Sequence, residues 1–368
     1  MNKFEPLAGA STFAGAAGAA GAAGAAGAAG AAGAAGAAGA ANEISPYLAH
    51  ALIGSRDALV STYTSATQPV KWTQALDNLD LLKRWDSGVR ISVCQAELCN
   101  SLHFSVSGQS ATFAHLNASG ANTFQAKNIV TLTRPNETLF KQQLELVMNW
   151  ASLREDRAGE ILTQVSGGAP FWASVVGIQS HRHKYTLEVI SLALSLAWQV
   201  EMRFKHAFAC PRPVEYSPQV QPMITTPGHG ALPSGHATEA FMVARVLQSL
   251  VGVARTSETA KQLQRQAARI AINRTVAGLH FPVDSAAGRL LGHTLGSYFV
   301  YRCQAQNHYH QRTFDGTLFR GPAGAALDFN YHESLDNGSF NTLNGPQMLV
   351  SQSAILKKIW ELAKEEWA

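Results

Sequence analysis

Three stretches of the chain carry polar residues that no helix or strand period explains. KHAFACPRP sets Lys205 seven residues before Arg212. GHGALPSGHATEAF sets His229 seven residues before His236, and Pro233, Ser234 and Gly235 form a turn at the start of a helix-like run. NRTVAGLHFPVD spaces Arg274, His280 and Asp284 by six and four residues. Two guanidinium forks and an ammonium can grip several oxygens of a tetrahedral oxyanion at once. Ser234 stands where a helix begins, and the free N–H groups and dipole of a helix start also attract anions. Together the blocks describe an oxyanion cradle.

Histidines supply chemistry to such a cradle. With His280 and Asp284 one helical turn apart, the carboxylate can accept a hydrogen bond from one ring nitrogen. The other nitrogen is then a neutral lone pair, suited to binding a metal or attacking phosphorus. His236, on the first turn of its helix, can face the same anion from the opposite side and exchange protons near neutral pH.

The order Lys-x6-Arg-Pro, Pro-Ser-Gly-His, Arg-x5-His-x3-Asp resembles the signature shared by vanadium-dependent haloperoxidases and type 2 phosphatidic acid phosphatases, the PAP2 superfamily, bacterial acid phosphatases included. The matched blocks cover residues 205–284, with broader similarity from about 140 to 300, and leave the first 135 residues and the C-terminal loops unmatched. The position before Arg274, usually serine in the family, is Asn273 here, which can still donate a hydrogen bond. The resemblance implies that Lys205, Arg212 and Arg274 bind the equatorial oxygens of vanadate or phosphate, with Ser234 and the Gly235 N–H completing the shell. In a haloperoxidase, His280 would be the axial vanadium ligand and His236 would assist peroxide binding and protonation. In a phosphatase, His280 would be the nucleophile forming a phosphohistidine, and His236 would protonate the leaving group. One site serves both because vanadate mimics the trigonal-bipyramidal geometry of phosphoryl transfer.

A histidine seven residues before the acid–base histidine, here His229, is similar to the pattern in bromoperoxidases and related bacterial enzymes. There it lies beside the vanadate and bears on halide choice. The upstream stretch LREDRAGEILTQ also resembles the larger soluble haloperoxidases. The first expectation is therefore a vanadate-dependent haloperoxidase that oxidises bromide or iodide with hydrogen peroxide and acts on a small organic substrate. The alternative is a soluble PAP2-type acid phosphatase hydrolysing phosphomonoesters without vanadate. A non-catalytic helical scaffold is the third reading, and it gives no reason for three cations and two histidines in this order.

Several residues have plainer readings. His229 can be a solvated loop residue, and Asp284 can cap the helix after Pro282. His181 and His183 in SHRHK lack a third ligand at metal spacing and read as exposed charge before a helix. Cys210, between Lys205 and Arg212, reads as a packed thiol that could line the site. Arg154, Glu155, Asp156 and Arg157 read as a solvated or salt-bridged face.

The elements that must position these residues are mostly helical. Apolar residues recur at helical intervals in 137–150, where Phe140, Leu144, Val147 and Trp150 share a face. Further helices are expected at 151–164, 184–206, 236–251, 258–273 and 284–302, with a final amphipathic helix at 355–367 whose acidic outer face is solvated. Between about 88 and 133, VRISV, LHFSVS, ATFAHL and NIVTLT alternate in short runs and suggest a small β-hairpin unit. Residues 313–347, rich in Gly, Asn and Asp, read as long loops. The expected fold is mainly α, a helical bundle of the haloperoxidase/PAP2 type. Its divisions are a low-complexity tail at 1–42, an extension with short strands at 43–135, a catalytic domain at 136–310, and C-terminal loops with a docking helix at 311–368.

Composition narrows the remaining classes. The Gly-Ala-Ala repeat of residues 15–41 lacks the imino acids of collagen, and its glycines disfavour helix, so it reads as a disordered tail. Alanine and glycine bury too little apolar area for a membrane anchor, and VISLALSLAW is too short to span a bilayer. A formal net charge of +4 without basic runs gives no footprint for nucleic acid. Four cysteines at this length form neither a disulfide framework nor a zinc site. No convincing secretory signal or twin-arginine motif stands at the start. The sequence assigns no compartment, and it leaves a homo-oligomer open.

Overall fold

The structure is a computed structural model that describes residues 46–59, 76–120, 122–165, 167–304, 309–348 and 350–368. The Gly-Ala-Ala tail lies outside the described residues.

Eleven α-helices follow one another among the described residues; those over 137–165, 184–208, 235–251, 258–276, 282–304 and 354–365 fall where the apolar periods predict, and the other four are not foreseen by them. Helix α1 is Pro46–Leu59, α2 Ser87–Cys99, α3 Glu137–Trp150, α4 Arg154–Val165, α5 Ala169–Val176 and α6 Lys184–Phe208. The short α7 is Pro213–Tyr216, followed by α8 Gly235–Val251, α9 Glu258–Val276, α10 Pro282–Gln304 and α11 Ala354–Glu365. Strands β1 Leu102–Ser107, β2 Ser110–Gly120, β3 Thr123–Thr133, β4 Tyr309–Asp315 and β5 Asn341–Met348 form one sheet in that order. All neighbours are antiparallel except β3 and β4, which run parallel.

Helix α8 is the centre of the molecule. Every side chain from Ala237 to Gln248 is buried, which fits a helix packed on several sides. On one side lies α10, whose Gly288, Gly292 and Gly296 meet it at successive turns. A Cβ on Gly288 would stand 2.7 Å from Ser234 O, and one on Gly296 2.9 Å from Arg245 Cβ. The backbones therefore approach as only glycine allows. Helix α6 packs its two apolar faces into two clusters, Val189, Leu196 and Phe204 in one and Ile190 and Leu194 in the other.

The structure corrects several sequence expectations. VRISV belongs to α2 rather than to the hairpin unit, because Ile91, Cys94 and Leu98 form a helical stripe that a five-residue alternation hides. Buried Arg90 anchors that helix through Glu188 of α6, Nε to Oε2 at 2.7 Å. The segment read as long loops contributes to β4, which pairs along the free edge of β3, and supplies β5, which pairs on β4. His183 is buried instead of exposed; its Nδ1 accepts the Gln179 N–H at 3.0 Å and its ring lies 4.4 Å from that of Trp367. The C-terminal helix docks Leu356, Ile359, Trp360, Leu362 and Ala363 as expected. The acidic end beyond it is not simply solvated: the Glu366 carboxylate accepts the N–H groups of Tyr185 and Thr186, both at 2.8 Å. Those are orphan donors of the first turn of α6.

Candidate active site

Five segments converge on the N-terminus of α8. Helix α6 delivers Lys205 in its last turn, where Ala209 in the left-handed region ends the helix. Arg212 precedes α7, its N–H held by Glu215 Oε1 at 2.6 Å. The loop before α8 carries His229, Ser234 occupies the N-cap position without a side-chain capping bond, and His236 sits in the first turn. Helix α9 ends with Asn273 and Arg274, and the short turn into α10 supplies His280 and Asp284. Lys205, Arg212, Ser234, Arg274, His280 and Asp284 are all at least 95 % buried.

The hydrogen bonds define roles for each group. Lys205 Nζ donates to Pro233 O at 2.5 Å and lies 3.3 and 3.4 Å from Gly230 O and Ala231 O. That contact depends on a close loop, since a Cβ on Gly230 would stand 2.8 Å from Lys205 O. Arg212 Nε donates to His229 O at 3.1 Å, and Nη1 donates to Leu279 O at 3.0 Å and meets His280 Nε2 at 2.8 Å. A guanidinium can only donate, so His280 Nε2 holds the lone pair and Nδ1 the proton. Nδ1 then donates to Asp284 Oδ2 at 3.0 Å. The same carboxylate oxygen accepts the Phe281 N–H at 2.9 Å, so Asp284 both caps the turn and orients the imidazole.

His236 Nε2 lies 3.2 Å from Gln164 O and 3.4 Å from Arg274 Nη1. The carbonyl only accepts and the guanidinium only donates, so the ring has a partner in either tautomer. His229 Nδ1 sits in the same kind of position, 3.1 Å from Arg212 Nη2 and 3.2 Å from Gly230 O. A solvated loop role for His229 is therefore replaced by a place in the site wall.

Lys205, Arg212, His229, Gly235, His236, Arg274 and His280 line one cavity of about 40 Å³. That is several times the roughly 10–15 Å³ one water needs. Trp198, Ile224 and Leu279 complete its wall with apolar surface, which lowers the local dielectric and strengthens every charge interaction inside. Burial pushes Lys205 down to about 8, with Arg212 adding to the effect. Burial likewise brings Arg212 and Arg274 down to about 10. His229 falls to about 4 through burial and then the Lys205 and Arg212 charges. His236 and His280 are held well below the usual imidazole range, chiefly by burial. Three crowded cations and neutral imidazoles are the electrostatics of a site prepared for an anion.

The polar atoms left over test that fit. Ser234 Oγ and Arg274 Nε are buried without a hydrogen-bond partner, a costly arrangement unless a ligand supplies the acceptor. Both belong to residues of the cradle, and both are donors. The donor set fits a tetrahedral oxyanion such as vanadate or phosphate.

Three further residues join the site that spacing did not single out. Gln164 of α4 accepts from Arg274 Nη2 through Oε1 at 2.7 Å and contacts His236 through its backbone oxygen. Glu201 and Glu239 are buried carboxyls on the cavity wall, beside Trp198. The two carboxyls were concealed inside helical runs, each one turn from a motif residue, and Gln164 in a run far from any motif. Asn273 donates to Gln164 Oε1 at 3.1 Å and accepts from Arg157 Nη1 at 3.1 Å. Arg154 is no mere solvated residue either, since it donates to Val276 O, Val220 O and Gln221 O at 2.7–2.9 Å. Cys210 packs in the core outside this cavity, its thiol pushed up to about 12 by burial.

The fold is helical, and the site joins three buried cations, an oriented imidazole lone pair and two further imidazoles. The family model of the PAP2 superfamily matches residues 185–309, and these residues form a domain of that superfamily. Members of the superfamily are in general enzymes, phosphatases and haloperoxidases among them. No curated protein matches the chain. No helix among the described residues is long and apolar enough to cross a membrane.

Proposed function

We propose that this chain is a vanadate-dependent haloperoxidase that oxidises bromide or iodide with hydrogen peroxide. The observation that carries the reading is the pair of half-partnered imidazoles, His229 and His236, on one cavity with the lone pair of His280. Lys205, Arg212 and Arg274, with Ser234 and the Gly235 N–H, would hold the oxyanion, and His280 Nε2 is the nitrogen offered to vanadium. Bound vanadate supplies Lewis acidity, polarising peroxide without changing its own oxidation state.

The chain's own groups manage charge and protons. Asp284 fixes the His280 tautomer, so Nε2, met by Arg212 Nη1, keeps its lone pair at every pH at which the ring stays neutral. His236 can take a proton from peroxide at Nε2 and return it to the departing oxygen, with Gln164 O and Arg274 Nη1 holding the ring in both states. The balance is halide, peroxide and one proton in, hypohalous acid and water out.

The second reading, a PAP2-type phosphatase, is favoured by the same His280 geometry, since an oriented lone pair is equally a nucleophile toward phosphorus. Purified protein with and without orthovanadate should be assayed for peroxide-dependent bromination of a dye and for p-nitrophenyl phosphate hydrolysis. Vanadate-dependent bromination is the expected result. Hydrolysis that vanadate inhibits, without bromination, would replace this reading with the phosphatase. A His280→Ala variant unchanged in both assays would leave the scaffold.

A further inference from the structure

Glu201 and Glu239 are unusual companions for an anion cradle. Both carboxyls are 97 % buried, and both line the cavity that holds Lys205, Arg212 and Arg274. Glu201 stands one turn before Lys205 on α6, and Glu239 stands three residues after His236 on α8. Glu201 presses against the helix start, since a Cβ on Gly235 would lie 2.5 Å from its Oε1, and its Oε2 is buried with no hydrogen-bond partner. Neither carboxyl has an ion-pair partner within 4.0 Å among the described residues, because Lys205 spends its donors on backbone carbonyls.

Charge balance then decides their state. Were Glu201, Glu239 and Asp284 all ionised, they would cancel Lys205, Arg212 and Arg274 and leave the cradle with no net charge to offer an anion. A bare carboxylate buried without partners is also strongly disfavoured. We propose that Glu201 and Glu239 form a proton-holding pair in the cavity wall, and that oxyanion binding draws a proton onto this pair from solvent. The protonated carboxyl becomes an O–H donor facing the anion instead of a repelling charge. The proposal rests on the oxyanion-binding reading of the site, whichever reaction follows.

The surrounding groups support the direction. Burial raises both carboxyls, Glu201 to about 7, and Glu239 is raised further by Glu201 itself. Lys205 and Arg212 oppose the shift at Glu201. The other titratable groups facing the cavity are His229 on the loop, His236 on α8, Arg274 on α9, and His280 with Asp284 at the start of α10.

The test is calorimetric binding of tungstate, a tetrahedral oxyanion with no titratable proton of its own near pH 8, in buffers of different ionisation enthalpy. Lys205, also held down by burial, can contribute to uptake in every variant, so the comparison with Glu201→Gln and Glu239→Gln reads the carboxyls. Wild-type protein should take up protons on binding at pH 8. Uptake should fall by about half a proton or more in E201Q, and tungstate should bind about tenfold tighter there, because one carboxylate fewer has to be neutralised first. E239Q should shift both quantities in the same direction. Binding by wild type without proton uptake, or uptake equal in all three proteins, would overturn the proposal and leave the site reading intact. Absence of tungstate binding in the wild type would overturn both.

Discussion

Asp284 is the residue on which the site's protonation depends. Its Oδ2 holds the His280 proton and the Phe281 N–H together, so Asp284→Asn replaces an acceptor with a group that can donate. The expected result is a 10–100-fold loss in vanadate affinity, the usual cost of losing an orienting partner behind a ligand histidine. Titration of the protein with orthovanadate by calorimetry measures it, and an unchanged affinity would make Asp284 a helix cap only. Glu201 permits a prediction on stability as well. In the folded chain it titrates at about 7 against an ordinary 4.5, because burial disfavours its charge. The folded state therefore binds more protons across that window, and stability from this group falls as pH rises through it. Relative to E201Q, wild type should lose on the order of 3 kcal/mol between pH 4.5 and 7, read from urea unfolding at each pH. Much of the residue-level grouping was legible in the sequence, because cations, histidines and Asp284 stand in three compact blocks that the fold brings together. Glu201, Glu239 and Gln164 were not, because a single carboxyl or amide within a helical run has the same spacing as any solvated residue. Only burial separates them.

At the scale of elements, the site exists because α8 and α10 touch. The three glycines of α10 let Ser234, at the start of α8, donate its N–H to Asp284 O at 2.9 Å. The start of α8 and the His280 turn are thereby joined through backbone. Gly292→Ala would push a methyl into the backbone of α8 near Thr238 and Met242. Overpacking of that kind costs about 1–3 kcal/mol, and the helices would part at the level of the cavity. Reduced stability in urea together with weaker tungstate binding is the expected pair of outcomes. A stable variant with normal binding would show that the helices can slide without disturbing the cradle. Helices with long apolar periods were legible from sequence, α6, α8, α9 and α10 among them. The sheet was only partly so. LHFSVS and NIVTLT alternate visibly, whereas β4 owes its form to an edge of β3 that lies nearly two hundred residues away, and β5, drawn from Asn- and Gly-containing sequence, adds onto β4. Local pattern carries no information about such a partner.

At the scale of the whole molecule, α6 ties the remote parts of the chain to the cavity. Its 25 residues span about 37 Å. Its first turn is capped by Glu366 near the C-terminus, and its second is held by Arg90 of α2 through Glu188. Its last turns pack Phe204 against Phe104 and Phe113 of the sheet, with ring centroids 5.5 and 5.4 Å away. Glu201 and Lys205 sit in that last stretch. Two mechanical pictures follow from this arrangement. If α6 acts as one rigid rod, loosening its capped end displaces Lys205. If each end is held by its own contacts, the cavity is insulated from the C-terminal segment. The packing favours insulation, since Lys205 is fixed by three carbonyls and Phe204 by an aromatic cluster, none of which involves α11. Glu366→Gln removes a charged cap from two backbone donors and should cost about 1–2 kcal/mol of stability. Tungstate affinity and proton uptake should stay at wild-type values below the unfolding transition. Affinity that falls in step with stability would instead make α6 a rod and the C-terminal cap part of the site's support.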